Sequence, residues 1–223
     1  MVEQHSVKIL TIQDVTHNVR AYRVEKPSGY RFIPGQATEV AIDVDGWREE
    51  RRPFTFTGLN EDPYLEFTIK SYQDHAGVTN ELYKLKAGDR LILHDVWGAI
   101  AYKGPGYFIA GGAGITPFIA ILRQLDREKA IGDNRLFFSN KTAADIIYHK
   151  ELKGIMGDRA RYVLTQESLP QFEKGPIDKS FLRNHIRDFA VNFYVCGPDK
   201  MVTDIAGALA ESGAKPDTVV FEK

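Results

Sequence analysis

Cysteine is almost missing from this sequence, because Cys196 is the only one among its 223 residues. A single thiol cannot form an internal disulfide, a four-cysteine zinc site or a four-cysteine iron–sulfur cluster. The six histidines are scattered and form no His-x-x-x-His pair, so we predict no metal site. Chemistry that needs a resident cluster in this chain is therefore excluded.

An excess of charge is missing as well. Lysine and arginine number 29 against 30 aspartates and glutamates, which makes the formal net charge −1. Nucleic-acid-binding proteins usually carry a clear basic excess, so we expect no nucleic acid among the partners. No apolar run reaches the roughly 18 residues of a membrane span, and Met1 to Gln13 contains no signal-peptide core. These absences predict a cytoplasmic protein without a membrane span.

Short strands dominate the first hundred residues. Segments rich in Val, Ile, Phe, Thr and Tyr alternate polar and apolar residues, and clusters of Gly, Pro, Asn or Asp separate them. Thr79–Leu85 alone looks helical in this half. Many short strands with one short helix predict a closed or nearly closed barrel. The expected strands are Ser6–Val15, Asn18–Glu25, Ala37–Val44, Arg52–Thr57, Tyr64–Tyr72 and Arg90–Val96.

Strands and helices alternate after Lys103-Gly104-Pro105-Gly106, which predicts a parallel sheet with helices on both faces. We therefore expect two domains, an all-β barrel over residues 1–102 and an α/β nucleotide-binding domain over residues 103–223. The expected strands of the second domain are Tyr107–Ala110, Arg135–Phe138, Ala160–Thr165, Asn192–Cys196 and Thr218–Phe221. Its expected helices are Pro117–Arg127, Ala143–Leu152, Lys179–Ile186 and Asp199–Glu211.

A glycine-rich segment, Gly111–Pro117, joins the first strand and the first helix of the second domain. Glycines allow a tight turn and a close approach to a ligand. Thr116 suits the N-cap of the helix, and Pro117 suits its first position. Amides at such a helix start favour phosphate binding. A tight strand-to-helix turn without a ligand is the alternative.

Three weaker segments also carry possible chemistry. Cys196-Gly197-Pro198 ends a later strand at the sheet edge where α/β folds bind ligands, although a lone cysteine is often a small buried hydrophobe. In Arg52-Pro53-Phe54-Thr55, a guanidinium could pair with a phosphate. Gly77-Val78-Thr79 precedes the barrel helix and could form a second phosphate site. An exposed arginine and a simple helix start are the alternatives for the last two.

Together these segments resemble the ferredoxin–NADP reductase superfamily, because they occur in the order seen there. Phe32-x-Pro34-Gly35-Gln36 and Gly88-Asp89-Arg90-Leu91 are also similar to segments of that family. The similarity covers almost the whole chain. One position departs from the pattern, since the family usually has Tyr where this chain has Phe54.

The resemblance implies that the barrel binds FAD and that the α/β domain binds a nicotinamide nucleotide. Arg52 would hold a flavin phosphate, Phe54 would lie against the flavin, and Thr55 would face its reactive nitrogen. Cys196 would sit near the nicotinamide ring, which makes Thr55 and Cys196 the candidate catalytic residues. The other candidate cofactor-binding residues are Pro53, Lys70, Gly77, Val78 and Thr79 for FAD, and Gly111, Gly112, Gly114, Thr116, Gly197, Pro198 and Met201 for the nucleotide.

The implied function is a flavin-dependent NAD(P)H oxidoreductase. Hydride would pass from NAD(P)H to FAD, and electrons would then pass to a separate ferredoxin, flavodoxin or oxygenase component. Positioning carries such a reaction, so no catalytic acid–base pair is required. Two alternatives stay open: a reductase of small acceptors such as ferric chelates or free flavin, and a nucleotide-binding module without turnover. A basic group, Arg48, Arg51 and Arg52, could dock an acidic carrier or be a solvated loop.

The ends of two strands predict NADH as the preferred nucleotide, with NADPH possible. These strands end in Ser139-Asn140-Lys141-Thr142 and Thr165-Gln166-Glu167-Ser168. The extra phosphate of NADPH needs Arg or Lys there, whereas a carboxylate such as Glu167 accepts hydrogen bonds from ribose hydroxyls. Lys141 is a single flexible cation, and one lysine is a poor phosphate clamp.

Overall fold

The computed structural model describes residues 4–72, 76–98, 100–215 and 219–221. The chain divides into two compact units. One unit holds the chain up to Ala101 together with Thr116–Gln124, and the other holds Tyr102–Ile115 and the chain from Leu125 onward. The first unit therefore includes a helical segment in addition to the strand-rich half of the chain.

The strand-rich part of the first unit forms a barrel. Its elements are β1 (His5–Thr16), β2 (Val19–Glu25), β3 (Ala37–Ile42), β4 (Arg52–Thr55), β5 (Tyr64–Lys70), α1 (Val78–Leu82) and β6 (Arg90–Trp97). The strands pair antiparallel in the order β4-β3-β6-β1-β2-β5. The two edges meet through an antiparallel bridge between Phe56 and Phe67, and Thr57 N donates to the Glu66 carbonyl oxygen at 2.8 Å. The expected barrel is therefore confirmed.

Aromatic side chains fill the interior where the barrel closes. The ring of Phe56 stacks on Phe32 with centroids 4.2 Å apart and contacts Phe67 at 5.0 Å. All three side chains are buried. Because such rings each bury about 150–250 Å², this cluster joins the edge strands to the rest of the core.

The second unit is built on a parallel sheet of six strands in the order β10-β9-β8-β7-β11-β12. The strands are β7 (Gly106–Gly111), β8 (Arg135–Asn140), β9 (Ala160–Leu164), β10 (Glu173–Lys174), β11 (Asn192–Cys196) and β12 (Val219–Phe221). The helices after β7 are α2 (Thr116–Arg127), α3 (His149–Met156), α4 (Lys179–His185) and α5 (Asp199–Glu211). The chain runs outward from β7 to β10 and then returns to β11 on the other side of β7. The strand order thus reverses between β7 and β11, which is where α/β sheets bind ligands.

Alternation of side chains along the parallel strands sends one set of apolar residues to the face covered by α4 and α5. Buried residues of the strands, including Ile109, Phe137 and Phe193, pack with Leu182 of α4 and Leu209 of α5. The α/β fold expected for this half of the chain is confirmed. Among the described helices, none is both long and apolar enough to span a membrane.

Two expectations about local structure are wrong, and one strand was missed. The helix expected at Ala143–Leu152 is a single 3-10 turn followed by α3, because Tyr148 adopts a left-handed conformation with φ of 52° and interrupts it. Helix α2 begins at Thr116 itself, directly after a 3-10 turn over Gly112–Ile115, so Thr116 is not outside the helix as an N-cap. Strand β10 was not expected, since two residues are too few for a pattern. Of the expected last strand, Thr218 lies outside the described residues.

Candidate functional site

The glycine turn after β7 leaves one glycine open to a ligand. Gly112 has a φ of +53°, a conformation that residues with a side chain rarely adopt. Among the described residues, no atom lies within 4 Å of the point where a Cβ of Gly112 would stand. Gly112 is therefore required by the backbone and faces open space.

The other two glycines of this turn are explained by packing within the second unit. A Cβ on Gly114 would collide with the carbonyl oxygen of Cys196, and a Cβ on Gly111 would collide with the sulfur of Met201. A Cβ on Gly197 would lie 3.1 Å from the amide nitrogen of Gly111. The ends of β7 and β11 are thus in direct backbone contact, so these predicted site residues come together.

Cys196 is the last residue of β11 and pairs with Ala110 of β7. Its side chain is 8% exposed. Pro198 follows as the N-cap of α5, with its carbonyl accepting from Val202 N at 3.0 Å. The thiol therefore lies at the carboxyl edge of the sheet, beside the point where the strand order reverses.

The barrel carries the predicted phosphate arginine on an edge strand. The side chain of Arg52, in β4, is half exposed, and its Nη2 lies 3.6 Å from a carboxylate oxygen of Glu50. Its Nη1 donates to the Arg51 carbonyl oxygen at 2.6 Å. An ion pair this exposed contributes at most about 1 kcal/mol. A phosphate could therefore replace Glu50 at little cost.

The remaining residues of that strand differ in burial. Pro53 is exposed, Phe54 is partly buried and packs against the barrel core, and Thr55 is 7% exposed. In β4, Phe54 pairs with Thr38 and Thr55 pairs with Ala37 of β3. Thr55 is thus held firmly by the sheet, which keeps its position constant.

Lys70 ends β5, and its Nζ lies 5.9 Å from the ring centroid of Tyr72. Gly77 is the N-cap of α1, and its carbonyl accepts from Asn80 N at 3.0 Å. Within the described part of the chain, no atom lies within 4 Å of a Cβ on Gly77. Val78, by contrast, is 2% exposed and belongs to the barrel core. Only the backbone of Val78 is therefore available to a ligand.

A buried carboxylate that sequence reasoning missed connects β2, β5, α2 and the segment after β4 in the first unit. Glu66 is 3% exposed, and its Oε1 accepts from Arg123 Nη1 at 2.6 Å while Oε2 accepts from Arg23 Nε at 2.9 Å. Thr57 Oγ1 lies 3.2 Å from the same Oε1. Burial raises the pKa of Glu66, but Arg123 and Arg23 outweigh it and hold the pKa below its usual range. No local sequence pattern marks partners that lie so far apart in the chain.

Glu167 has a partner within the protein that the sequence did not indicate. Its Oε2 accepts from the backbone nitrogen of Ala143 at 2.7 Å. The neighbouring Asp145 accepts from the nitrogen of Thr142 at 2.9 Å, within a capping box. Both carboxylates therefore shape the turn that follows β8.

The basic group beside β4 is not a row of uncompensated charges. Arg48 pairs with Asp43 at 2.8 Å and with Asp45, and Arg51 lies 3.8 Å from Glu39 and 3.5 Å from Glu49. Each arginine thus has an acidic neighbour. This arrangement favours a solvated loop over a docking site for an acidic carrier.

Comparisons with known proteins agree with this architecture. Residues 108–207 match the family described as the oxidoreductase NAD-binding domain. The chain is 24% identical to the reductase component of propane 2-monooxygenase from Rhodococcus jostii, covering 100% of this chain and 64% of that protein. It is 28% identical to NADH-cytochrome b5 reductase 1 from Pyricularia oryzae, covering 90% and 72%. The chain thus spans less than two thirds of the first of these relatives.

A solved structure has the same fold. The ferredoxin NADP+ reductase from Neisseria gonorrhoeae, with FAD and NADP bound, superposes with a TM-score of 0.85 at 20% identity, covering 98% of both chains. The resemblance expected from the sequence is confirmed, because the chain is similar to reductases of this kind in sequence and has the fold of a ferredoxin NADP+ reductase.

Proposed function

We propose that this protein is an FAD-dependent NAD(P)H reductase that passes electrons to a separate electron-carrier or oxygenase component. The observation that carries the proposal is the pair of glycine turns at the ends of β7 and β11, where the strand order reverses. The comparisons support the oxidoreductase class and the cofactors FAD and NAD(H). The activity of the whole protein and the identity of its acceptor are part of this proposal.

The residues of the barrel fit a flavin dinucleotide. Arg52 offers a half-exposed guanidinium held by an exposed ion pair with Glu50 and a hydrogen bond to the Arg51 carbonyl oxygen, and Lys70 adds a second cation at the opposite edge strand. Gly77 leaves room for close approach of a phosphate to the backbone, because a Cβ there would meet no atom of residues 4–72, 76–98, 100–215 and 219–221. Phe54 would support the flavin with its ring. A hydroxyl is absent at this position, so Phe54 cannot donate the hydrogen bond that a tyrosine could.

The protein would act by binding and orienting. FAD, when bound, supplies the chemistry by accepting a hydride from the nicotinamide and releasing electrons onward. Thr55 would present its hydroxyl to the reactive nitrogen of the flavin from a position fixed by β3 and β4. Gly112 would bring a backbone amide close to the nucleotide, and Cys196 would limit the space beside the nicotinamide ring. Orientation of two reactants accounts for much of the rate in such reactions.

A protein acceptor is favoured over a small one by the two relatives above, which are named as a monooxygenase reductase component and as a cytochrome b5 reductase. The test is to capture carrier proteins from the source cell on the immobilised protein and to assay each for NADH-dependent reduction. We expect one carrier to be reduced with a much higher kcat/KM than ferric chelates or free flavin. A higher kcat/KM for a small acceptor than for every captured carrier would contradict the proposal. Ferricyanide is unsuitable, because it accepts electrons from many flavins.

A further inference from the structure

The loops that follow β8 and β9 are hydrogen-bonded to each other. The nitrogen of Thr165 donates to the Asn140 carbonyl oxygen at 2.9 Å. Farther along the same loops, the carboxylate of Glu167 accepts from the nitrogen of Ala143 at 2.7 Å. Glu167 therefore fastens the loop after β9 to the turn after β8, at the carboxyl edge of the sheet.

A second carboxylate accepts a hydrogen bond from the adjacent backbone amide of the same turn. Asp145 Oδ2 accepts from Thr142 N at 2.9 Å and from Thr142 Oγ1 at 2.7 Å. The backbone N–H groups of the consecutive residues Thr142 and Ala143 thus both donate hydrogen bonds to carboxylates of the chain. Phosphates at such sheet edges bind through amides and cations. Here a phosphate would have to displace the carboxylate of Asp145 or of Glu167, and it would then lie beside the carboxylate that was not displaced.

Cations in the two loops are few. Residues 139–145 and 165–168 contain one lysine, Lys141, and no arginine, against the carboxylates of Asp145 and Glu167. Lys141 is exposed, whereas both carboxylates are partly buried. Charge and hydrogen bonding therefore disfavour an added phosphate at the same place.

Building on the proposed nicotinamide nucleotide site, we propose that Glu167 is a positioning residue for nucleotide selection. Through its bond to Ala143, Glu167 holds the Thr142–Asp145 turn in the form that accepts an unphosphorylated ribose. Its charge, added to that of Asp145, excludes a ribose 2′-phosphate. This role differs from the direct contact with ribose hydroxyls expected from the sequence, since Glu167 acts through the turn.

Calorimetric binding of ADP-ribose and of 2′-phospho-ADP-ribose to the full chain tests this role without catalysis. Glu167→Gln keeps an oxygen that accepts from Ala143 and removes only the charge. We expect ADP-ribose to bind within about twofold of wild type and the phosphorylated form to bind about fivefold more tightly. Glu167→Ala also removes the acceptor, and we expect about tenfold weaker ADP-ribose binding.

Flavin reduction provides a second readout that a general loss of structure would not reproduce. Glu167→Ala should raise the KM for NADH while the limiting reduction rate stays unchanged, and Glu167→Gln should restore the KM. Glu211→Gln is the matched control, because it removes another carboxylate of the second unit that pairs with Lys179. This control should leave both the affinities and the KM as in wild type.

The outcomes separate this inference from the proposed function. If the ratio of the two affinities stays within about twofold of wild type in Glu167→Gln and Glu167→Ala alike, the role of Glu167 is disproved. If wild type binds ADP-ribose but NADH never reduces its flavin, the proposed function fails, and the affinity ratios still decide the role of Glu167. If wild type binds neither nucleotide, both are overturned. Should Glu167→Ala not fold, Glu167→Gln still gives the decisive ratio.

Discussion

Arg123 Nη1 donates a hydrogen bond of 2.6 Å to Glu66 Oε1, and the two residues are 57 positions apart in the chain. The same nitrogen donates to the Thr57 carbonyl oxygen at 2.7 Å. Glu66 lies in β5 and Arg123 in α2, so this pair binds the helical segment of the first unit to its barrel. Because Glu66 is almost completely buried, removing Arg123 would leave its charge in the interior with Arg23 as the remaining ionic partner among the described residues.

Loss of this pair should destabilise the first unit strongly. Breaking a buried ion pair by removing one partner costs about 3–5 kcal/mol. Because Arg23 still pairs with Glu66, we expect Arg123→Met to lower the free energy of unfolding by about the lower end of that range. Denaturant unfolding followed by tryptophan fluorescence measures it, because both tryptophans, Trp47 and Trp97, lie in the first unit. Glu81→Gln is the control, since Glu81 is only partly buried and its partner Lys84 is exposed. A loss in Arg123→Met no larger than in the control would contradict the prediction.

The pair should also make stability depend on pH. The pKa of Glu66 in the folded state lies below its usual range, which is about 4.3 in an unfolded chain. A carboxyl shifted in this direction contributes stability above that value and loses it as the pH falls through the folded pKa. Between about pH 5 and about pH 3, wild type should therefore lose stability more steeply than Glu66→Gln. Equal slopes in the two proteins would show that Glu66 contributes nothing to acid unfolding.

Arg52 and Thr55 should have separable effects on the flavin. Arg52→Ala should release the flavin during dialysis, because a phosphate would lose charge-assisted hydrogen bonds worth roughly 1.5–3 kcal/mol. Thr55→Ala should keep the flavin but slow its reduction. Arg51→Ala is the matched control, since Arg51 is the neighbouring arginine and also pairs with exposed carboxylates. Full flavin retention by Arg52→Ala at micromolar protein would show that Arg52 does not hold the phosphate.

Gly77 offers a test for close approach of the cofactor. A Cβ on Gly77 would meet no atom of the residues that the structure describes, and its φ is not in the left-handed region. Gly77→Ala should therefore leave stability within about 0.5 kcal/mol of wild type while FAD binding weakens. Gly154→Ala is the control, because Gly154 also has open space around it. Equal FAD affinity, titrated by flavin fluorescence, in both variants and wild type would place the pyrophosphate elsewhere.

Local patterns predicted the strands and most helices because each depends on neighbouring residues. Alternation in Tyr64–Lys70 marks β5 without reference to the rest of the chain. The same alternation could not reveal that Glu66 is buried, because its partner Arg123 comes from another element. The prediction of one helix over Ala143–Leu152 was wrong because Tyr148 adopts a left-handed conformation, and this conformation interrupts a segment of otherwise helical composition.

The glycines of the turn after β7 also show what sequence patterns cannot predict at the candidate site. Their presence predicted a ligand-binding turn, but sequence could not separate a glycine needed for packing from one open to a ligand. Gly114 is required by the carbonyl of Cys196, and Gly112 is required by its φ of +53°. Contacts between β7 and β11, which are distant in sequence, make that distinction.

The proposed function requires the protein to bind FAD and a reduced nicotinamide nucleotide to deliver hydride to it. Anaerobic stopped-flow mixing of the purified protein with NADH or NADPH measures this hydride transfer, after mass spectrometry of the heat-released flavin. We expect the released flavin to be FAD and its absorbance to bleach, with a higher catalytic efficiency for NADH. An efficiency for NADPH tenfold or more above that for NADH, about 1.4 kcal/mol in the opposite direction, would refute the nucleotide preference. If the protein holds no flavin, or if neither nucleotide reduces its flavin, the proposed reductase function is contradicted.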